Sequence, residues 1–122
     1  MEAVKRDSDG GWGGCGGEPG REHEPFLQEG IHLHPVGLSR TEIKEYYEGF
    51  SNETLWPIYH DVIVPATFHR AWWKTSRRIN QRLAEAVAEA SAPGATVWVH
   101  DDQLQLVPAM VRASGAEARI GW

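Results

Sequence analysis

Asp101 stands in the run Trp98-Val99-His100-Asp101-Asp102, just after Thr96-Val97-Trp98-Val99, four residues of unbroken β propensity. A carboxylate at the carboxyl end of a buried strand, read here as 96–100, lies where open α/β sheets place their ligand crevices. There it could accept hydrogen bonds from sugar hydroxyls. The competing reading is that Asp101 caps the helix that follows. Tyr47 and Trp56 each combine an apolar ring with a polar tip. The ordinary role of a helix aromatic is core packing, and Tyr46, which must face another way, is read as structural. His32 and His34 fall on one strand face and with His23 could begin a metal site. No cysteine or carboxylate completes that ligand set, so solvated strand histidines are the better reading and no metal is assigned. Arg77, Arg78 and Arg82 could form an anion patch, against the default of a charged helix face. No residue is given a catalytic role.

The elements that would position these groups follow from periodicity. Residues 1–20 contain seven glycines, each raising the entropy cost of ordering, and read as a glycine-rich mobile loop. Ile31 and Leu33 alternate with His32 and His34, which predicts a short strand at 30–34 ended by Pro35. Ser39 with Glu42 forms a capping-box pattern, Leu38 can staple against Ile43, and the helix they start should run to about Gly49. Asn52 would then cap a short segment limited by Pro57. Trp72, Ile79, Leu83, Val87 and Ala90 recur at helical steps and predict a long helix between Phe68 and Ser91, closed by Pro93-Gly94. Leu104, Leu106, Val107, Met110 and Val111 mark another helix up to Gly115, and 118–121 begins a strand. Helix, buried strand, helix and strand in succession make this an α/β chain.

Composition narrows the function classes. The 122 residues are 41% hydrophobic and 24% charged, as in an ordinary globular domain. A net charge of -5 disfavours nucleic acid and anionic membranes as partners. One cysteine, no leader and no long apolar run point to the cytoplasm. Six tryptophans suit the C–H faces of a carbohydrate.

Glu45-Tyr46-Tyr47-Glu48-Gly49-Phe50-Ser51-Asn52-Glu53-Thr54-Leu55-Trp56-Pro57, with Tyr59-His60, closely resembles the E-Y-Y-x-x-F-S-N-x-x-L-W-P-x-x-H block of trehalose-6-phosphate synthases. Trp98-Val99-His100-Asp101 with Gln103-Leu104-Gln105-Leu106-Val107-Pro108 is similar to a second block of that family, and Arg119-Ile120-Gly121 to the start of a third. Together they cover about residues 10–122. The resemblance implies a partial Rossmann-like N-terminal domain, 21–122, truncated at both ends, of a two-domain GT-B glycosyltransferase. Its reaction would move glucose from UDP-glucose, or a related nucleotide sugar, to glucose 6-phosphate. The anomeric configuration would be retained, with no cofactor besides the donor substrate. It further implies Tyr47 and Asp101 as glucose 6-phosphate contacts, Trp56 as the residue of anomer selectivity, and a homo-oligomer as a possible state of the full-length family.

Two positions depart from the family pattern. Cys15 replaces the second tryptophan of W-x-G-W, and Asp102 replaces the tyrosine that follows the motif aspartate, adding a carboxylate that would repel a sugar phosphate. The phosphate-binding S-N-R strand and the nucleotide-binding domain have no counterpart in these residues. The isolated chain is therefore expected to form no trehalose 6-phosphate. The alternatives are a non-catalytic sugar-phosphate-binding or regulatory module and, more remotely, a metal hydrolase using His23, His32 and His34.

Overall fold

A computed structural model describes residues 10–15, 19–20, 24–29, 31–61 and 63–122. Its first layer is a three-stranded sheet in the order β1-β3-β2, with β1 at Gly10–Cys15, β2 at Phe26–Gln28 and β3 at Ile31–Val36. β1 runs parallel to β3, from Gly10 opposite Ile31 to Cys15 opposite Val36, and β2 runs antiparallel to β3. The expected loop over 1–20 is thus corrected at Gly10–Cys15. A complete ladder to β3 offsets the entropy its four glycines would otherwise retain. Residues 1–9 and 16–18, like His23, lie outside the described residues. The strand predicted at 30–34 forms at Ile31–Val36; Pro35 falls inside it.

Helix α1 begins as predicted. Ser39 Oγ accepts from the Glu42 N–H at 3.1 Å, and Glu42 Oε2 accepts from the Ser39 N–H at 2.9 Å. Leu38 and Ile43 then join the same core cluster. The helix does not stop at Gly49. It continues through three contiguous segments: Arg40–Glu42 in α geometry, Ile43–Leu55 in π geometry, and Trp56–Tyr59 in α geometry again. Gly49 is buried because the Trp72 ring lies against it, and a Cβ there would sit 2.7 Å from Trp72 Cδ2. The glycine that looked like a helix end is a packing notch. Asn52 caps nothing, and Pro57 is accommodated near the first position of the last segment, where its missing N–H costs least.

The long helix α2, Arg70–Ala90, buries Ile79, Leu83 and Ala84 against Leu38, Tyr46, Val99, Val107 and Val111. Asp102–Leu104 forms one 3-10 turn, and α3 follows at Val107–Ala113. β4, Thr96–Trp98, pairs in parallel with β5, Arg119–Gly121, so strand, helix and strand form a parallel crossover unit. The buried strand expected at 96–100 is corrected in both respects: it ends at Trp98, and Thr96 and Trp98 are exposed because only one face of this two-stranded sheet is covered. The α/β expectation holds. Among the described residues no helix is long and apolar enough to cross a membrane.

Arg78 and Arg82 both turn back to Glu42, at 3.5 and 2.9 Å from its Oε1. Arg77 instead lies 5.9 Å from the centre of the Trp73 ring. The anion patch considered for these arginines is not assembled: two are paired with one carboxylate that also closes the α1 cap. Burial acts to raise the Glu42 pKa, but the Ser39 backbone hydrogen bond and the two guanidiniums outweigh it and hold the carboxyl below its ordinary value.

Gly49→Ala is expected to cost about 1–3 kcal/mol in urea unfolding, because a bulky indole must shift to admit one methyl group. Because the folded-state pKa of Glu42 is depressed, its contribution is present above the ordinary carboxylate value of about 4.3 and is lost as pH falls through the lower folded value. The stability gap between the parent chain and Glu42→Gln should be largest near neutral pH and close below about pH 4, read from denaturation midpoints across that range.

Candidate functional site

A cleft of about 180 Å³ opens between α1 and the loop after β4. Tyr47, Ser51, Asn52 and Trp56 face it from the helix; Asp101, Asp102 and Gln103 face it from the loop. Its volume is below the roughly 300–1,000 Å³ of an enclosed small-molecule site.

The helical face depends on the π winding. Nine positions separate Tyr47 from Trp56, and at about 100° per residue an α-helix would turn them to opposite sides. With i→i+5 hydrogen bonds, such as Trp56 N–H to Ser51 O, a turn takes roughly 4.4 residues, so nine positions close nearly two full turns. Tyr47, Ser51 or Asn52, and Trp56 then share one side. Tyr46 faces the core instead and is 1% exposed, in keeping with its structural reading. Tyr47 and Trp56 are about half exposed, at 49% and 51%. Core packing, the ordinary expectation for helix aromatics, does not apply to either. The His60 ring stacks on Trp56 at 3.6 Å between centroids while its Nδ1 sits 3.0 Å from Trp56 O, so one indole face is covered and held.

The loop is placed by two buried polar side chains. Gln103 O accepts from Tyr46 Oη at 3.1 Å and from Asn80 Nδ2 at 3.0 Å. Asn80 Nδ2 also donates to Ser76 O, and Asn80 Oδ1 accepts from the Leu106 N–H. Asn80 is fully buried, so all its bonds form out of water, where leaving one unmade is costly. Burial, followed by the nearby Cys15, Asp102 and Asp101, pushes the Tyr46 phenol far above its ordinary pKa, so it stays a donor. Tyr59 Oη adds a bond to Gln105 Oε1, clasping the end of α1 to the same loop.

Asp101 lies three residues beyond the end of β4. Val99 carries the pairing one step further, donating from its N–H to Gly121 O at 2.9 Å. The Asp101 side chain makes no capping bond to the following turn, so the cap reading is set aside. Its backbone sits at φ 72°, ψ 147°, a sparsely populated conformation for any residue with a Cβ. Such strain persists only where surrounding bonds over-determine it, and the Gln103 hub supplies them.

Two polar atoms of the cleft residues are left over. Ser51 Oγ and Asp102 Oδ2 are buried with no hydrogen-bond partner among the described residues. No site role follows from sequence for Ser51, Gln103 or the supporting Asn80, and Asn52 is offered only as a helix cap. Ser51 and Asn52 lay within a recognised block, but which side of a helix they occupy depends on its winding. His32 is exposed and His34 half-buried, and no group of three or more metal-ligating side chains occurs among the described residues. Cys15 ends β1, exposed and unpaired.

The model of glycosyltransferase family 20 matches residues 1–122. The trehalose-6-phosphate synthase of Mycolicibacterium smegmatis is 49% identical over 122 residues, which are 100% of this chain and 24% of that protein. A Burkholderia xenovorans alpha,alpha-trehalose-phosphate synthase (UDP-forming), solved in complex with glucose-6-phosphate, superposes with a TM-score of 0.82. It is 28% identical, with 95% of this chain and 26% of that one covered. An E. coli trehalose-6-phosphate structure bound with UDP-2-fluoro glucose gives a TM-score of 0.83 at 32% identity, with 93% and 26% covered. The chain spans about a quarter of the length of the curated relatives it matches.

Because the Asp101 backbone is strained, Asp101→Gly should raise stability by about 1 kcal/mol in thermal or urea unfolding. Asp101→Ala should bring no such gain, since it keeps a Cβ while removing the same carboxylate.

Proposed function

Since the chain belongs to glycosyltransferase family 20, we propose that it forms the acceptor wall of a trehalose-6-phosphate synthase. In that reaction the bond from the donor glucose C1 to UDP breaks. A bond from C1 to a hydroxyl oxygen of glucose 6-phosphate forms, and the hydroxyl proton is released. UDP-glucose, or a related nucleotide sugar, is the donor, and no further cofactor is assigned. In this reading Asp101 accepts hydrogen bonds from acceptor hydroxyls, Tyr47 donates its phenol to a hydroxyl or phosphate oxygen, and Trp56 lays its uncovered indole face on the sugar and selects the anomer. The nucleotide would be held by a second Rossmann-like domain across the crevice, in a cytoplasmic enzyme that could assemble as a homo-oligomer.

The observation that carries this reading is the convergence of Tyr47, Trp56 and Asp101 on one cleft from elements 45 or more positions apart in the chain. A carboxylate, a phenol and a half-exposed indole around a small polar crevice match a hydroxyl-rich ring with one apolar face.

Calorimetric titration of the 122-residue chain with glucose 6-phosphate should show saturable binding that Asp101→Ala weakens about tenfold or more, the worth of a hydrogen bond to a charged group. The chain alone should release no UDP from UDP-glucose above a buffer blank. Absence of saturable binding, or binding indifferent to Asp101→Ala, would overturn the assignment.

A further inference from the structure

Ser51 is 3% exposed, lines the cleft, and keeps an Oγ without a partner among the described residues. A buried hydroxyl left unbonded is destabilising, and such groups are retained where something else completes them. Asp102 lines the same cleft and also has a buried, unpartnered carboxylate oxygen. Asp101 adds a second carboxylate, and none of the described residues lining the cleft is lysine, arginine or histidine. Arg78 and Arg82 pair with Glu42 and are not among the residues that line it.

We infer that Ser51 and Asp102 form a subsite for a hydrogen-bond-donating ring substituent of the acceptor sugar, and that Asp102 makes it favour an ammonium group over a hydroxyl. This rests on the acceptor-wall reading and narrows it to an acceptor class, the amino-sugar phosphates. Ser51 Oγ can accept from or donate to the substituent, whereas Asp102 can only accept. An ammonium offers charge-assisted bonds to Asp102 and the field of Asp101 together; a hydroxyl offers weaker bonds and no charge. Asp102 stands where the resembling family block carries tyrosine, so the preference would belong to this chain rather than to the block.

The test is titration of the 122-residue chain at about pH 6, where a sugar amine carries its proton. Glucose 6-phosphate and glucosamine 6-phosphate serve as the two probes. Glucosamine 6-phosphate should bind at least about threefold tighter, the excess expected of a partly solvated charge-assisted bond. Asp102→Asn should bring the ratio of the two affinities to about one. Ser51→Ala should weaken both sugars without lowering the melting temperature, because it removes an unbonded buried hydroxyl. In the unsubstituted chain the preference should shrink as salt rises from about 20 mM to about 500 mM, a check independent of any variant's folding. Equal binding of the two sugars, or a preference unchanged in Asp102→Asn and by salt, overturns the subsite while leaving the acceptor wall standing. Failure of both sugars to bind overturns both.

Discussion

The carbonyl of Gln103 receives two hydrogen bonds from side chains with almost no access to water, the Tyr46 phenol and the Asn80 amide. Tyr46 comes from α1 and Asn80 from α2, so a single backbone oxygen ties both helices to the loop that carries Asp101 and Asp102. In a dry interior such bonds cannot be exchanged for bonds to water, and the loop is held by what it would cost to break them. Asn80 Oδ1 fixes the Leu106 N–H on the far side, so the loop is gripped at two points. The left-handed backbone of Asp101 is sustained between those anchors and the strand that precedes it.

The winding of α1 is the second constraint. Its i→i+5 turns bring Tyr47, Ser51 and Trp56 to one side while Tyr46, Phe50 and Leu55 remain in the core. Close packing of Trp72 on Gly49 and the bond from Thr54 Oγ1 to Thr67 O hold the same segment. A regular α-helix of identical sequence would divide the cleft residues between two faces, so the site depends on a departure from regular geometry, as wide helical turns often do at functional positions.

Polar groups in this chain divide into those satisfied internally and those left open. Glu42 closes the cap of α1 and pairs with Arg78 and Arg82, Thr75 bonds Glu45, and Asn80 completes all its bonds. Ser51 and Asp102 do neither, and both border the cleft. Residue type alone does not make this division: Arg78 and Arg82, considered for an anion patch, turn onto Glu42, and Arg82 Nε is a further buried polar atom without a hydrogen-bond partner, on a residue that does not line the cleft.

Much was legible in the sequence because it is local. The Ser39–Glu42 cap is decided by side chains three positions apart, the apolar stripe of α2 by a period of 3.6, and the β4 run by its β-favouring residues. Family membership was legible for a different reason: the blocks around Tyr47, Trp56 and Asp101 are long and unusual enough to be specific. What the sequence could not determine involved partners distant in the chain. The glycine-rich segment at 10–15 becomes a strand only because β3 lies beside it, and Gly49 ends nothing because Trp72 fills the space where its side chain would be. Local propensity scores each residue against its neighbours in sequence. The side of α1 that meets Asp101, and which polar atoms remain unbonded there, are decided by a helix winding and a buried hub that exist only once α1, α2 and the loop are packed together.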